Sequence, residues 1–161
     1  MIRWMMVIAV VSIFSLPLAA EVKGASPQQF KQLLQQAAAG DAYAQLNVGA
    51  AYDNGLGVDR DIDKALFWYQ KAAEKGVAEA QFNLAHLLVT QELSATTAAE
   101  WMRKAADQGM VDAEYLMGVI YAEGLGVEMD KAEARRWLKK AIAKGHDEAA
   151  QFLREMDQPP G

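Results

Sequence analysis

Few residues in this chain are equipped for covalent chemistry. There is no cysteine, and beyond the first twenty residues the only serines are Ser26 and Ser94. The two histidines, His86 and His146, stand far apart, and neither has a serine or cysteine beside it in sequence. A nucleophilic triad needs a nucleophile, a base and an orienting group within hydrogen-bond reach, so its raw material is missing. Zinc normally takes three or four His or Cys ligands, and two histidines fall short. Carboxylates are plentiful, but no spacing singles out an acid–base pair. The expectation is therefore no catalytic residue, no metal, no cofactor and no enzyme. His146 directly follows Gly145, which favours a capping role at a helix start over ligation.

The residues that could grip rather than react belong to a repeat. Gly40, Gly76, Gly109 and Gly145 recur at spacings of 36, 33 and 36, with Ala44, Ala80, Ala113 and Ala149 in step. Trp68, Trp101 and Trp137 recur in the same register, each preceded by Ala65, Ala98 or Ala134. A period in the thirties marks a solenoid whose units bury their apolar faces against one another.

Each unit reads as two helices. The first runs from Ala42 to Asp53 and places Ala44, Val48, Ala51 and Tyr52 on one face, the 3.6-residue pattern of a buried stripe. Gly49, Ala85 and Gly118 sit beside that stripe as small residues that admit a neighbouring helix. Asn54-Gly55-Leu56-Gly57-Val58, repeated as Gly124-Leu125-Gly126-Val127, supplies the left-handed C-cap. No Lys-Ser or Lys-Thr pair follows, so a phosphate loop is not indicated. The second helix starts at the N-cap residue Asp61 and runs to Lys75, burying Ala65, Trp68, Ala72 and Ala73. Trp68, Trp101 and Trp137 are thus expected in the core, Trp101 at a truncation cost of about 3–5 kcal/mol. The middle unit is three residues shorter, with Gln91-Glu92-Leu93-Ser94 in place of the glycine loop, so its hairpin must turn differently.

The ends are expected to be capped. Ser26-Pro27-Gln28-Gln29 carries Ser at the N-cap, Pro at N1 and Gln at N3. The predicted order is a leader (1–20), a linker (21–26) and a capping helix (27–39). Repeats follow at about 40–75, 76–108 and 109–144, then a closing helix (147–156) and a tail (157–161). In the leader, Arg3 precedes the apolar run Met5 to Leu16, and Pro17-Leu18-Ala19-Ala20 offers a cleavage site before Glu21. That is the pattern of a secretory signal peptide, too short for a span of about 20 residues. The expected location is the periplasm or the outside. Without cysteine the chain cannot be a lipoprotein or use disulfides.

The full chain of 161 residues has a net charge of −5, or −6 without Arg3. Nucleic acid and anionic membrane are poor partners for such a balance. The first helices, 42–54, 78–90 and 111–123, contain no Lys or Arg. The bases lie in the second helices, as Lys71, Arg103, Lys104, Arg135, Arg136, Lys139 and Lys140.

The run Ala-Gln-Leu-Asn-Val-Gly-Ala-Ala-Tyr-Asp-Asn-Gly-Leu-Gly-Val from Ala44 to Val58, continued by the run from Asp61 to Gly76, resembles the signature of the Sel-1-like repeat family. The resemblance covers about 40–156, with two departures: the short middle hairpin, and Leu88 where Tyr52 and Tyr121 stand. It implies an all-α fold, a right-handed superhelical solenoid of tetratricopeptide-like helix-turn-helix repeats. Exported bacterial relatives typically act as adaptors; some neutralise toxins. A cysteine-rich branch linked to β-lactams is not matched here, since its cysteines are absent. By analogy the first helices line a concave groove, neutral to acidic, that receives a neutral or basic protein segment. The expected contacts are Tyr43, Asn47, Glu79, Asn83, His86, Asp112, Tyr115 and Glu123, with Asn47 and Asn83 either holding partner amides or bracing adjacent helices. The readings in view are an envelope adaptor, an immunity protein against an envelope-acting toxin, or a glycan-binding accessory stacking sugars on Tyr43 and Tyr115.

Overall fold

The computed structural model describes residues 26–158; the expected leader, most of the linker and the end of the tail lie outside them. Among the described residues there are eight α-helices and no strand. They are α1 (Pro27–Ala38), α2 (Ala42–Asn54), α3 (Ile62–Glu74), α4 (Ala78–Thr90), α5 (Ala95–Asp107), α6 (Val111–Glu123), α7 (Lys131–Ala143) and α8 (Asp147–Asp157). The chain divides after Ala80 into two compact units.

The helix ends follow from local chemistry. Ser26 and Gln29 form a full capping box: the Gln29 amide donates to Ser26 Oγ at 3.3 Å, and the Ser26 amide to Gln29 Oε1 at 2.7 Å. Asp61 accepts from the Lys64 amide at 3.0 Å, and the Lys64 ammonium closes on its carboxylate at 2.6 Å. Lys64 at the third helical position thus answers the cap through both its amide and its side chain.

At their far ends α2 and α6 stop on Gly55 and Gly124, both at φ 68. Leu56 and Leu125 then donate to the carbonyls of Ala51 and Ile120, six residues inclusive, as in a Schellman turn. The short middle hairpin makes the same turn with a different residue. Leu93 donates to Leu88 O at 3.0 Å, and Glu92 occupies the left-handed position at φ 54. A non-glycine residue there is strained; the three missing residues leave no glycine to take it. Ser94 then caps α5 through the Thr97 amide at 3.2 Å.

In the first unit α2 packs against both α1 and α3. A Cβ built on Gly49 would lie 2.6 Å from Tyr69 Cδ1, so the glycine is a hole that the Tyr69 ring fills. In the second unit α6 packs against α5, α7 and α8, and α7 against α8. Gly118 plays the same part there, its would-be Cβ 2.6 Å from Leu138 Cγ. The expected role of both glycines is met.

This hole corrects the facing of the second helices. Tyr69, Met102 and Leu138 are buried at 2%, 4% and 0% exposure, each one residue after the tryptophan. Trp137 is in the core at 3%, but Trp68 and Trp101 are only half-buried. With the glycine hole filled by the following residue, the tryptophan is rotated toward the edge of the helix. There Lys104 Nζ lies 3.6 Å from the Trp101 ring centre and Lys140 Nζ 3.7 Å from that of Trp137, a cation–π cover from the same helix.

Candidate functional site

In the first unit, α2 leaves Tyr43 61% exposed, one turn before half-buried Asn47 and two before half-buried Ala50. Exposed Asn54 ends the row, its amide donating to Ala50 O at 3.0 Å. Glu79, in the first turn of α4, is half-buried. In the second unit Asn83 and His86 are half-buried on α4, as are Asp112 and Glu123 on α6.

Tyr115 does not belong with them. It is 4% exposed, its ring stacked on His146 at 4.4 Å and 27° and meeting Phe152 edge-on at 6.3 Å. Leu116 and Val119, one helical turn apart on the same helix, are buried as well. Indeed every residue from Ala113 to Ile120 is buried, because α6 has neighbours on several sides. The expected surface on α6 is thus reduced to its two ends, Asp112 and Glu123. Sugar stacking on Tyr115 has no exposed face to use.

His146 is the N-cap of α8, buried at 7%. Its Nδ1 accepts from the Ala149 amide at 3.2 Å, and its Nε2 lies 3.6 Å from Asp112 Oδ1. Glu148 Oε2 stands 3.3 Å from Nδ1. Burial pushes the Asp112 carboxyl above the ordinary carboxylate range; His146 pulls it back and Glu148 pushes it further up. Burial also raises the Tyr115 phenol, helped by Glu148 and Glu155, so it stays neutral.

A group whose folded-state pKa is raised favours the folded state at low pH and costs stability once ionised. The Asp112→Asn variant should therefore be more stable than the parent at pH 7. That advantage should shrink as pH falls through the carboxylate range and vanish by about pH 3. Urea unfolding at both pH values checks it; a constant difference would show that Asp112 does not carry the dependence.

One polar ladder escaped the sequence reading. The residue after each repeat alanine is Gln45, Gln81 or Glu114, buried at 4%, 4% and 3%. Gln45 donates to Ala37 O at 3.0 Å. Gln81 accepts from Gln108 at 2.8 Å, and Glu114 from the Lys144 ammonium at 2.8 Å. Lys144 also donates to Gly109 O at 3.0 Å, and in the first unit Lys75 donates to Gly40 O. Gln45 ties the first repeat to the capping helix before it, and each of the other clasps joins the beginning of a repeat to its own end. The signal available was a polar side chain recurring at one fixed position of an otherwise apolar turn.

Among the described residues no three His, Asp or Glu side chains are placed to hold a metal ion, and no helix is long and apolar enough to cross a membrane. A family model described as the Sel1 repeat matches residues 42–77, 78–110 and 111–146. The chain belongs to the Sel1 repeat family. Chitin synthase regulatory factor 3 of Schizosaccharomyces pombe is 30% identical over 138 residues, 81% of this chain and 15% of that protein. Among solved structures, a Sel1 repeat protein from Oxalobacter formigenes is 32% identical at a TM-score of 0.76, covering 80% of this chain and 54% of that one. The protective antigen c5321 of uropathogenic Escherichia coli is 35% identical at a TM-score of 0.74, over 78% of this chain and 28% of that one. This chain therefore spans only a fraction of these relatives' lengths. The fold is that of the Sel1 solenoid proteins, and Sel1 repeat proteins are generally non-enzymatic protein–protein interaction scaffolds.

Proposed function

We propose that this protein is an exported bacterial adaptor that holds a neutral-to-basic segment of a partner protein on its first helices. The observation that carries the reading is the surface of α2. There a largely exposed tyrosine, Tyr43, stands one turn before half-buried Asn47 in a row that ends at exposed Asn54, on a helix without Lys or Arg. Tyrosine brings a large rigid contact area, and tyrosines are enriched where partners bind. Asn47 has a donor and an acceptor to offer a partner's backbone. In the second unit Asn83, His86, Asp112 and Glu123 have the same uncharged-to-acidic character. The name of the fungal relative, a regulatory factor of an enzyme rather than the enzyme, is in keeping with a part that acts by occupancy. Export rests on the Arg3 and Met5–Leu16 pattern.

A photo-crosslinker placed at Tyr43 or at Asn83 should capture the same protein in the cell, through a segment rich in neutral and basic residues. The exposed Gln70 of α3 should capture none of it. The Glu79→Lys variant should weaken that complex roughly ten-fold by like-charge repulsion. Equal capture from all three positions, or an indifferent Glu79→Lys, would refute the assignment. N-terminal sequencing of the periplasmic fraction should find Glu21 first; an intact Met1 there would overturn cleavage, and absence of the protein from that fraction would overturn export.

A further inference from the structure

The most highly charged element of the fold is α7, and most of its charge lies off the core. Its buried side consists of Ala134, Trp137, Leu138 and Ala141. The opposite side carries exposed Arg136 and Lys139, with exposed Ala132 before and Ala143 beyond them, and Arg135 and Lys140 at its edges. Over thirteen residues the helix has five bases, Lys131, Arg135, Arg136, Lys139 and Lys140, against the single acid Glu133. Three like-charge pairs stand four residues apart, Lys131 with Arg135, Arg135 with Lys139, and Arg136 with Lys140, and each destabilises a helix. Lys131 also opposes the helix dipole from the first position.

Part of this charge is answered internally. Arg135 reaches Asp157 at 2.7 Å and Arg136 reaches Glu133 at 3.3 Å, while Lys140 lies over the Trp137 ring. Lys131 and Lys139 take no part in those pairs and face solvent. A helix that keeps repelling bases on an exposed face, with two small alanines among them, is built for something outside itself.

We propose that the outward face of α7 is a docking surface for an acidic segment of a partner protein, whose carboxylates are received by Arg136 and Lys139. Its borders favour a narrow occupant over a broad one. Helix α8 packs beside α7 and exposes Asp147, Glu148 and Glu155, and Glu128 and Asp130 are exposed just ahead of α7. A bilayer of anionic lipid or a nucleic acid would press its phosphates onto those carboxylates as well. A single acidic strand or helix lies on the basic stripe alone, and Ala132 and Ala143 let its backbone come close. This face is separate from the first-helix surfaces and opposite in charge, so either assignment can fail without the other.

The test uses the full chain and a labelled helical peptide of glutamate and alanine, with its glutamine analogue as control, read by fluorescence anisotropy. The glutamate peptide should bind at roughly 50 mM salt, weaken about ten-fold at roughly 300 mM, and lose to the same degree against the Arg136→Gln/Lys139→Gln variant. The glutamine analogue should not bind. The thermal midpoint of the double variant should stay level or rise, because like-charge pairs are relieved. Unchanged peptide affinity in the double variant would overturn the proposal, as would a lowered midpoint, which would assign the bases a structural role. Tighter binding to phosphatidylglycerol vesicles or to a single-stranded oligonucleotide than to the peptide would overturn it too.

Discussion

Truncation of Trp137 to alanine should cost about 3–5 kcal/mol of stability, the range for a fully buried large aromatic side chain. The Trp101→Ala change should cost about half as much or less, because less apolar area leaves water in the first place. The two tryptophans occupy the same repeat position, so a reading by register alone assigns them equal weight. Their surroundings differ: Trp137 is 3% exposed and lies on a helix packed against both α6 and α8, whereas Trp101 is half-buried. Two further terms act on Trp137 in opposite directions. Its indole Nε1 is buried without a hydrogen-bond partner, so truncation also removes an unsatisfied donor and shifts the cost toward the lower end. The ring also carries Lys140 at 3.7 Å, and that contact is lost. Urea unfolding followed by circular dichroism measures both variants without relying on tryptophan emission. Equal losses would mean that the deep position is the tryptophan's after all, and not that of the residue following it.

What could be read without coordinates was whatever is local. The period, the Ser26–Gln29 box, the glycine C-caps and the small residues at Gly49 and Gly118 are decided by side chains within a few positions of one another, and all appear as expected. His146 as a cap falls in the same group. The one-residue shift from Trp68 to Tyr69 depends instead on where a hole in one helix meets a side chain of the next, a tertiary match that periodicity does not encode. The burial of Tyr115, Leu116 and Val119 was closer to being legible. Where α2 carries Asn47 and Ala50, α6 carries Leu116 and Val119, and a helix that is apolar all round is a buried one. The analogy of equal repeats obscured it. The partner surface is the least legible part, since exposure of Tyr43 or Lys139 is a fact about shape while its use depends on a second molecule.

The buried ladder offers the sharpest contrast between a pair and its parts. Replacing Lys144 by methionine should cost about 2–4 kcal/mol, since the loss of one partner strands a buried charge. Glu114 is the stranded group: its side chain is 4% exposed, whereas that of Lys144 is 40% exposed. The reverse single change, Glu114→Gln, leaves a lysine with access to water and should cost under about 1 kcal/mol. The protein contains its own template for repair. One repeat earlier the same two positions hold Gln81 and Gln108, joined at 2.8 Å, a neutral pair with no desolvated charge. The double variant Glu114→Gln/Lys144→Gln rebuilds that pair in the third repeat and should return to within about 1 kcal/mol of the parent. Chemical unfolding of the parent, the Lys144→Met and Glu114→Gln variants and the double variant completes the test. If losing Glu114 hurts as much as losing Lys144, the clasp works by geometry and not by charge. If the double variant stays as weak as Lys144→Met, the repeats do not interchange their fastenings.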